Sequence, residues 1–270
     1  MKTDESRLKN SIINMFTAST AYVATMVMTI FVRGFLVYYL GQKYVGLNGV
    51  MTSVLSSFSL ADLGIDSVLV FLLFSPLEQK KTATVKKLMI LFRKIYFSIG
   101  VIFFLVGLSA IPFFSQIFGS QATNIPNFLT IYLIFLANAG ISYFFVYYRT
   151  LLNADQQSFV VARITMIVNV SIGVVQILCL VFLKSFIIYG LVQLTGTLLT
   201  NLIIELTARQ KYSFLRVKLS KEETKTDKST IRIWIKNTIG GISNKIGTVI
   251  VVRSDNILLA HFENQSVVGM

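Results

Sequence analysis

The chain has 270 residues, of which 54% are hydrophobic and only 14% charged, and its mean hydropathy is +0.70. That is too little charged surface for a water-soluble domain of this length, so a soluble globular fold is excluded. The formal net charge of +13 would suit nucleic acid, but the basic residues gather in gaps between apolar runs, where topology and anionic lipid headgroups account for them, and no nucleic-acid partner is expected.

The tail before the first run carries Lys2, Arg7 and Lys9. The first predicted span, 11–41, is too long for a signal-peptide core and has no small-residue cleavage site after it. Arg33 lies inside it, ~10 Å from its outer end. Only Lys43 marks the next gap. The second predicted span, 47–75, contains Asp62 and Asp66, four residues apart and so on one helix face, and Pro76 closes it. Lys80, Lys81, Lys86 and Lys87 follow, with Arg93 and Lys94 just inside the third predicted span, 88–114, which Pro112 closes. The gap at 115–126 has no basic residue. The fourth span, 127–148, is predicted to open at Pro126 behind an Asn124 cap. Its Tyr143-Phe144-Phe145-Val146-Tyr147-Tyr148 end reads as an interfacial aromatic belt.

Arg149 and Arg163 flank the next gap, before the fifth span at 158–183. Cys179, the only cysteine, lies inside that run, so neither a disulfide within the chain nor a thiolate metal cluster is expected. Lys184 stands alone before the sixth span at 186–208. Residues 209–238 hold nine basic residues with Glu222, Glu223 and Asp227, and read as a basic cytoplasmic loop and interfacial helix anchored by Trp234. The seventh span, 239–262, contains Lys245, Arg253 and Asp255, with the only histidine, His261, near its outer end as an interface residue.

Unbroken runs of this length cross an apolar core of ~30 Å as helices, and the absence of two-residue alternation excludes a barrel. Twenty of the 25 basic residues fall in alternate gaps and only Lys43 and Lys184 in the others. By the positive-inside rule the N-terminus is cytoplasmic and the chain is a multi-pass protein of a bacterial cytoplasmic membrane. Residues 35–47 and 258–270 repeat one another at an offset of 223, with Gln, Val and Gly coinciding. Six spans before a repeat give a parallel repeat. The expected layout is an all-α membrane bundle: a six-helix lobe at 1–208, the basic loop at 209–238, and at 239–270 the first helix of a truncated second lobe.

Ionisable groups within spans are costly and mark sites by default. One reading is a water-filled cavity in which Arg33 and Arg253 face an anionic substrate, with Asp62, Asp66 and Asp255 as cavity acids that pair with them or couple an ion. The other is a structural ion pair such as Arg33 with Asp62. Asn138, Asn169, Gln176, Gln193 and Asn201 suit either sugar hydroxyls or interhelical hydrogen bonds. Gly34, Gly64, Gly100, Gly107, Gly140, Gly173 and Gly196 are expected mainly to let helices approach closely. No P-loop, nucleophile elbow or HExxH motif occurs. An enzyme is not expected, nor a cofactor or metal, and any active transport would draw on ion, potential or substrate gradients.

Three stretches, Tyr39-Leu40-Gly41, Tyr44-Val45-Gly46-Leu47-Asn48-Gly49 and Ser59-Leu60-Ala61-Asp62-Leu63-Gly64-Ile65, resemble the start of bacterial polysaccharide flippases. Ser254-Asp255-Asn256-Ile257-Leu258, followed by Val268-Gly269, resembles the opening of their second lobe. These are the Wzx-type exporters of the multidrug/oligosaccharidyl-lipid/polysaccharide superfamily. The resemblance implies two six-helix lobes around a central cationic cavity, working by alternating access on undecaprenyl-diphosphate-linked oligosaccharide for capsule, exopolysaccharide or other surface polymers. Arg33 and Arg253 would then meet the diphosphate. The implied partners are that lipid-linked oligosaccharide, membrane lipids, and the polymerase and glycosyltransferases of the same pathway. A multidrug/cation antiporter of the same superfamily is the alternative within transport. A glycosyl-polymerising enzyme would be expected to carry a larger outer loop, and a nonfunctional fragment is the remaining reading.

Overall fold

The computed structural model describes residues 4–57, 65–118 and 125–216. Every regular element among them is helical. In chain order they are α1 (Asp4–Leu40), α2 (Gln42–Ser57), α3 (Ile65–Glu78), α4 (Thr82–Ser109), α5 (Phe114–Phe118), α6 (Phe128–Ile141), α7 (Val146–Ala154), α8 (Ser158–Leu183) and α9 (Phe186–Lys211). Three 3-10 turns, Ile111–Phe113, Ser142–Phe144 and Ser213–Arg216, link or extend them. A helix bonds its own backbone groups, which is what a chain this apolar needs in lipid.

Four helical stretches, Ile12–Leu40, Thr82–Ser109, Ser158–Leu183 and Phe186–Lys211, are long and apolar enough to cross a membrane. A fifth crossing is available if Phe128–Phe144 and Val146–Ala154, bent by 45° at their junction, count as one span. Their outward faces carry large apolar side chains such as Phe16, Phe31, Phe97, Leu105 and Phe182. Such a surface is compatible with a multi-pass membrane protein.

The sequence expectation of seven continuous spans is met in part. The second span appears as two helices of 16 and 14 residues, each shorter than the ~20 residues a spanning helix requires. Pro76 lies inside α3 rather than closing it, in a last turn that runs on to Glu78. Asn124 lies outside the described residues, and the residue that caps α6 is Asn127, with a left-handed φ of 59°. The fourth span breaks at residues 142–145. Ser142 there accepts a hydrogen bond from Asn201 Nδ2 at 3.2 Å, which ties the break to α9. The sixth helix continues to Lys211, three residues past its predicted end. Trp234 and the seventh span, with Lys245 and His261, lie outside the described residues.

Helix directions follow from constant offsets. Along α1 and α8, Asn14 meets Phe159 at an offset of 145, Met28 lies against Gly173, and Lys184 lies over the Tyr39 ring at 5.9 Å. The last two pairs keep the offset of the first. The two helices therefore run parallel and in register from Asn14 to Tyr39, ~37 Å of rise. Thr197 bonds Asn138 and Asn201 bonds Ser142, both at an offset of 59, so α6 and α9 are also parallel. By contrast Gly100, Gly107 and Gly140 meet Tyr143, Leu136 and Phe103 in reversed order, so α4 and α6 are antiparallel.

The α4–α6 seam is the tightest packing. A Cβ at Gly107 would fall 2.3 Å from Leu136 Cδ1, and one at Gly140 only 2.6 Å from the tip of the Phe104 ring. Gly173 and Gly196 are closed in the same way by Met28 and Ile172, as expected for packing glycines. Gly34 differs, having nothing within 4 Å, and Gly64 is outside the described residues. At the end of the seam Phe114 and Phe118 pack edge-on to Phe128 and Tyr132, and Tyr132 OH donates to the Gly107 carbonyl at 2.7 Å. The tyrosines expected in an interfacial belt are instead core residues. Tyr143, Tyr147 and Tyr148 are 5, 6 and 5% exposed, because the break in the fourth span turns their rings into the bundle.

Candidate functional site

A cavity of about 480 Å³ lies between α1, α2, α8 and α9, within the ~300–1,000 Å³ range of ligand pockets. Each helix lines it with one face. From α1 come Thr25, Thr29 and Arg33, each four residues from the last, and from α2 Asn48 and Thr52. From α8 come Asn169, Gly173 and Gln176, and from α9 Tyr189, Gln193 and Thr197. The spacing puts each set on one helix face. The cavity lies toward the end of the bundle that carries the α1–α2 and α8–α9 turns.

The hydrogen-bonding balance is uneven. Thr29 donates to the Thr25 carbonyl and Thr52 to the Asn48 carbonyl, each at 2.8 Å, so both hydroxyl protons are used within their own helices. Thr197 donates to Asn138 Oδ1 at 2.6 Å, and Gln176 Nε2 reaches the Tyr189 carbonyl at 3.5 Å. Two buried acceptors, Asn48 Oδ1 and Gln193 Oε1, have no donor among the described residues. An unsatisfied buried acceptor costs ~1–3 kcal/mol. Arg33 adds a cation to the wall, and no Asp or Glu is among the described residues lining this cavity. The site therefore offers one positive charge and two unused oxygens to whatever enters.

A second, smaller cavity of about 270 Å³ adjoins it between α2, α4, α6 and α9. Thr52 and Gln193 belong to the walls of both. The remainder of the smaller wall includes three aromatic rings, Phe103, Phe135 and Tyr143, with Asn138 among the polar groups.

Of the residues singled out by sequence, Arg33 lines the larger cavity and Asp66 lines neither. Asp66 instead accepts from Thr150 of α7. Tyr96 of α4, 1% exposed, lies within electrostatic reach of Asp66. Arg149 is within reach of that carboxylate too. Asp66 thus belongs to a polar node joining α3, α4 and α7, where a charge in an apolar bundle is compensated by neighbours. The structure does not bring Arg33 and Asp66 into one site. Asp62, Arg253 and Asp255 lie outside the described residues. Glu205 pairs with Arg209 at 2.7 Å, one turn on, and the Arg209 guanidinium lies 5.4 Å from the Tyr148 ring centroid. No group of three or more His, Cys, Asp or Glu able to hold a metal occurs among the described residues.

Sequence reasoning passed over Thr25, Thr29, Asn48 and Thr52. The signal was present as polar residues repeating every four positions, Thr25-Thr29-Arg33 on α1 and Asn48-Thr52 on α2, within otherwise apolar runs. It also passed over a clasp at the opposite end of the bundle. Asn14 of α1 donates to the Gln156 carbonyl at 3.2 Å and accepts from the Phe159 N–H at 2.7 Å. The residue before α8, Gln157, makes no side-chain cap of its own, so α1 supplies the cap. Lys211 donates to Gln157 Oε1 and Tyr212 OH to Asp155 Oδ2 at 2.8 Å. Burial first, then the Asp155 charge, push the Tyr212 phenol above its ordinary range. That keeps it a donor throughout the neutral range.

No family model, no curated protein and no solved structure matches this chain.

Proposed function

We propose that the chain forms the first lobe of a carrier that moves an undecaprenyl-diphosphate-linked oligosaccharide across the bacterial cytoplasmic membrane by alternating access. The observation that carries the reading is Arg33 on the wall of a 480 Å³ cavity in an apolar helical bundle, with no carboxylate lining it among the described residues. A cation in a membrane cavity is expensive. A ligand bearing negative charge, such as a diphosphate, would offset that cost. The unused Asn48 and Gln193 oxygens suit a ligand that also carries hydroxyl donors. Arg253 would supply a second cation from the next lobe. The multidrug/cation antiporter is the weaker reading, because Asp66 is engaged with Thr150 outside both cavities.

The seven-span layout, with a cytoplasmic N-terminus, belongs to the same proposal. The helix directions support it. Helix α4 opposes α6, which runs with α9. Helix α9 folds back on α8 through the Lys184 turn, and α8 runs with α1. So α1 and α4 point the same way, and the chain returns once between Leu40 and Thr82. Helices α2 and α3, ~24 and ~21 Å long, together make that return and count as one span. The alternating basic gaps then set the orientation.

The test is export in cells making the surface polymer, with the protein carrying Arg33→Ala or Arg33→Lys at matched membrane abundance. Alanine is expected to abolish surface polymer and to accumulate lipid-linked intermediate, and lysine to retain part of the export. Full export by the alanine variant at normal abundance would overturn the reading.

A further inference from the structure

We infer that the smaller cavity is a subsite for one neutral sugar ring, with Gln193 as its hydrogen-bond acceptor. This rests on the carrier reading for its biological meaning but not for its chemistry. Its volume, about 270 Å³, gives room for one six-membered ring and its hydroxyls. Phe103, Phe135 and Tyr143 give the chamber apolar faces, against which the C–H face of a ring can pack. The polar groups are what a hydroxyl needs. Gln193 Oε1 is buried and has no donor among the described residues. Asn138 spends its carbonyl oxygen on Thr197, leaving its NH2 free among the described residues. A hydroxyl both donates and accepts, so one ring answers both amides.

Charge decides against the main rival. Three aromatic rings can also cage a quaternary ammonium ion. Such a cage gains from nearby carboxylates, and none lines the chamber among the described residues. The unpaired oxygen on Gln193 calls for a hydrogen-bond donor, which a quaternary ammonium ion lacks. Because Thr52 and Gln193 also line the larger cavity, a ring held in the chamber would lie beside the space that Arg33 borders. The chamber would thus read the sugar while the larger cavity holds the charged part of the same ligand.

The experiment uses the full chain in lipid nanodiscs free of sugar detergents. Saturation-transfer NMR is recorded with two phosphate-free probes, methyl β-D-glucopyranoside and N-acetylglucosamine. Transfer to ring protons at millimolar concentration is expected, with apparent affinity reduced roughly tenfold, the equivalent of one good hydrogen bond, in Gln193→Leu. Tetramethylammonium should not compete. Absence of transfer to both glycosides, unchanged affinity in Gln193→Leu, or displacement by tetramethylammonium would each overturn the subsite. Should Gln193→Leu fail to fold, Thr52→Val on the same shared wall decides: weaker binding at an unchanged melting temperature supports the subsite, and unchanged binding overturns it. The two proposals fail separately. Export blocked by Arg33→Ala with no glycoside bound removes the subsite alone. Glycoside binding with normal export by Arg33→Ala removes the carrier reading and leaves the chamber standing.

Discussion

Two seams of one bundle use the same apolar alphabet to opposite ends. Between α4 and α6, glycines are met by rings and branched side chains, and Gly107 and Gly140 have no room for a methyl group. Between the α1–α2 and α8–α9 pairs, small and polar residues face one another and leave about 480 Å³ unfilled. Hydropathy does not distinguish them, since each includes at least one helix apolar enough to cross a membrane. What differs is the partner opposite each small residue. A glycine facing an aromatic ring closes a seam, and a threonine facing an asparagine or arginine holds one open.

The comparison can be broken most directly at Gly140. Gly140→Val drives a branched side chain into the stiff Phe104 ring and should cost about 1–3 kcal/mol, read as a lower melting temperature of the purified protein. Gly34→Ala is the matching control in α1. It meets nothing within 4 Å and should raise stability by about 0.5–1 kcal/mol through helix propensity. If both glycines respond alike, the two seams are not different in kind.

Asn14→Ala removes both hydrogen bonds that α1 makes to the start of α8. A loss of ~1 kcal/mol is expected, the usual worth of a helix cap, together with faster hydrogen exchange at the Phe159 amide. Tyr132→Phe tests the closed seam by deleting one buried hydroxyl that bonds Gly107, at a cost of ~0.6 kcal/mol if it behaves like other interhelical bonds in membranes. The smallest effect belongs to the open seam. Gln193→Leu deletes an acceptor that has no donor, so the melting temperature should stay level or rise slightly. A clear drop would mean that the Gln193 oxygen is satisfied and the open seam is ordinary packing.

Much of the architecture was legible because hydrophobic run length is a coarse and robust signal. The runs at 158–183 and 186–208 became α8 and α9 with their N-terminal ends in place. The break at 142–145 was not legible, because the apolar run continues through it and the Asn201 side chain that bonds Ser142 there lies 59 positions away. The split of the second run into α2 and α3 was hidden in the same way by continuous apolarity. The Tyr143–Tyr148 cluster was assigned to an interface because composition cannot tell which way a ring turns after a bend. Arg33 was legible as a costly charge in a span. Its companions Asn48 and Thr52 were not, because neutral polar residues in a helix have ordinary uses, and only the geometry shows which of them lack a partner. The association of Asp66 with Thr150 depends on a contact 84 positions apart, and no local pattern announces it.

The constant offset between α1 and α8 has a consequence for biogenesis. Among the described helices α1 is made before the others, yet its most extensive pairing is with α8, whose matching residues are synthesised 145 positions later. At ~5–20 residues per second that is a wait of roughly seven to thirty seconds. Throughout it, Asn14 is without the Phe159 amide that it later accepts from. Helix α1 is therefore among the last of the described helices to be locked in place.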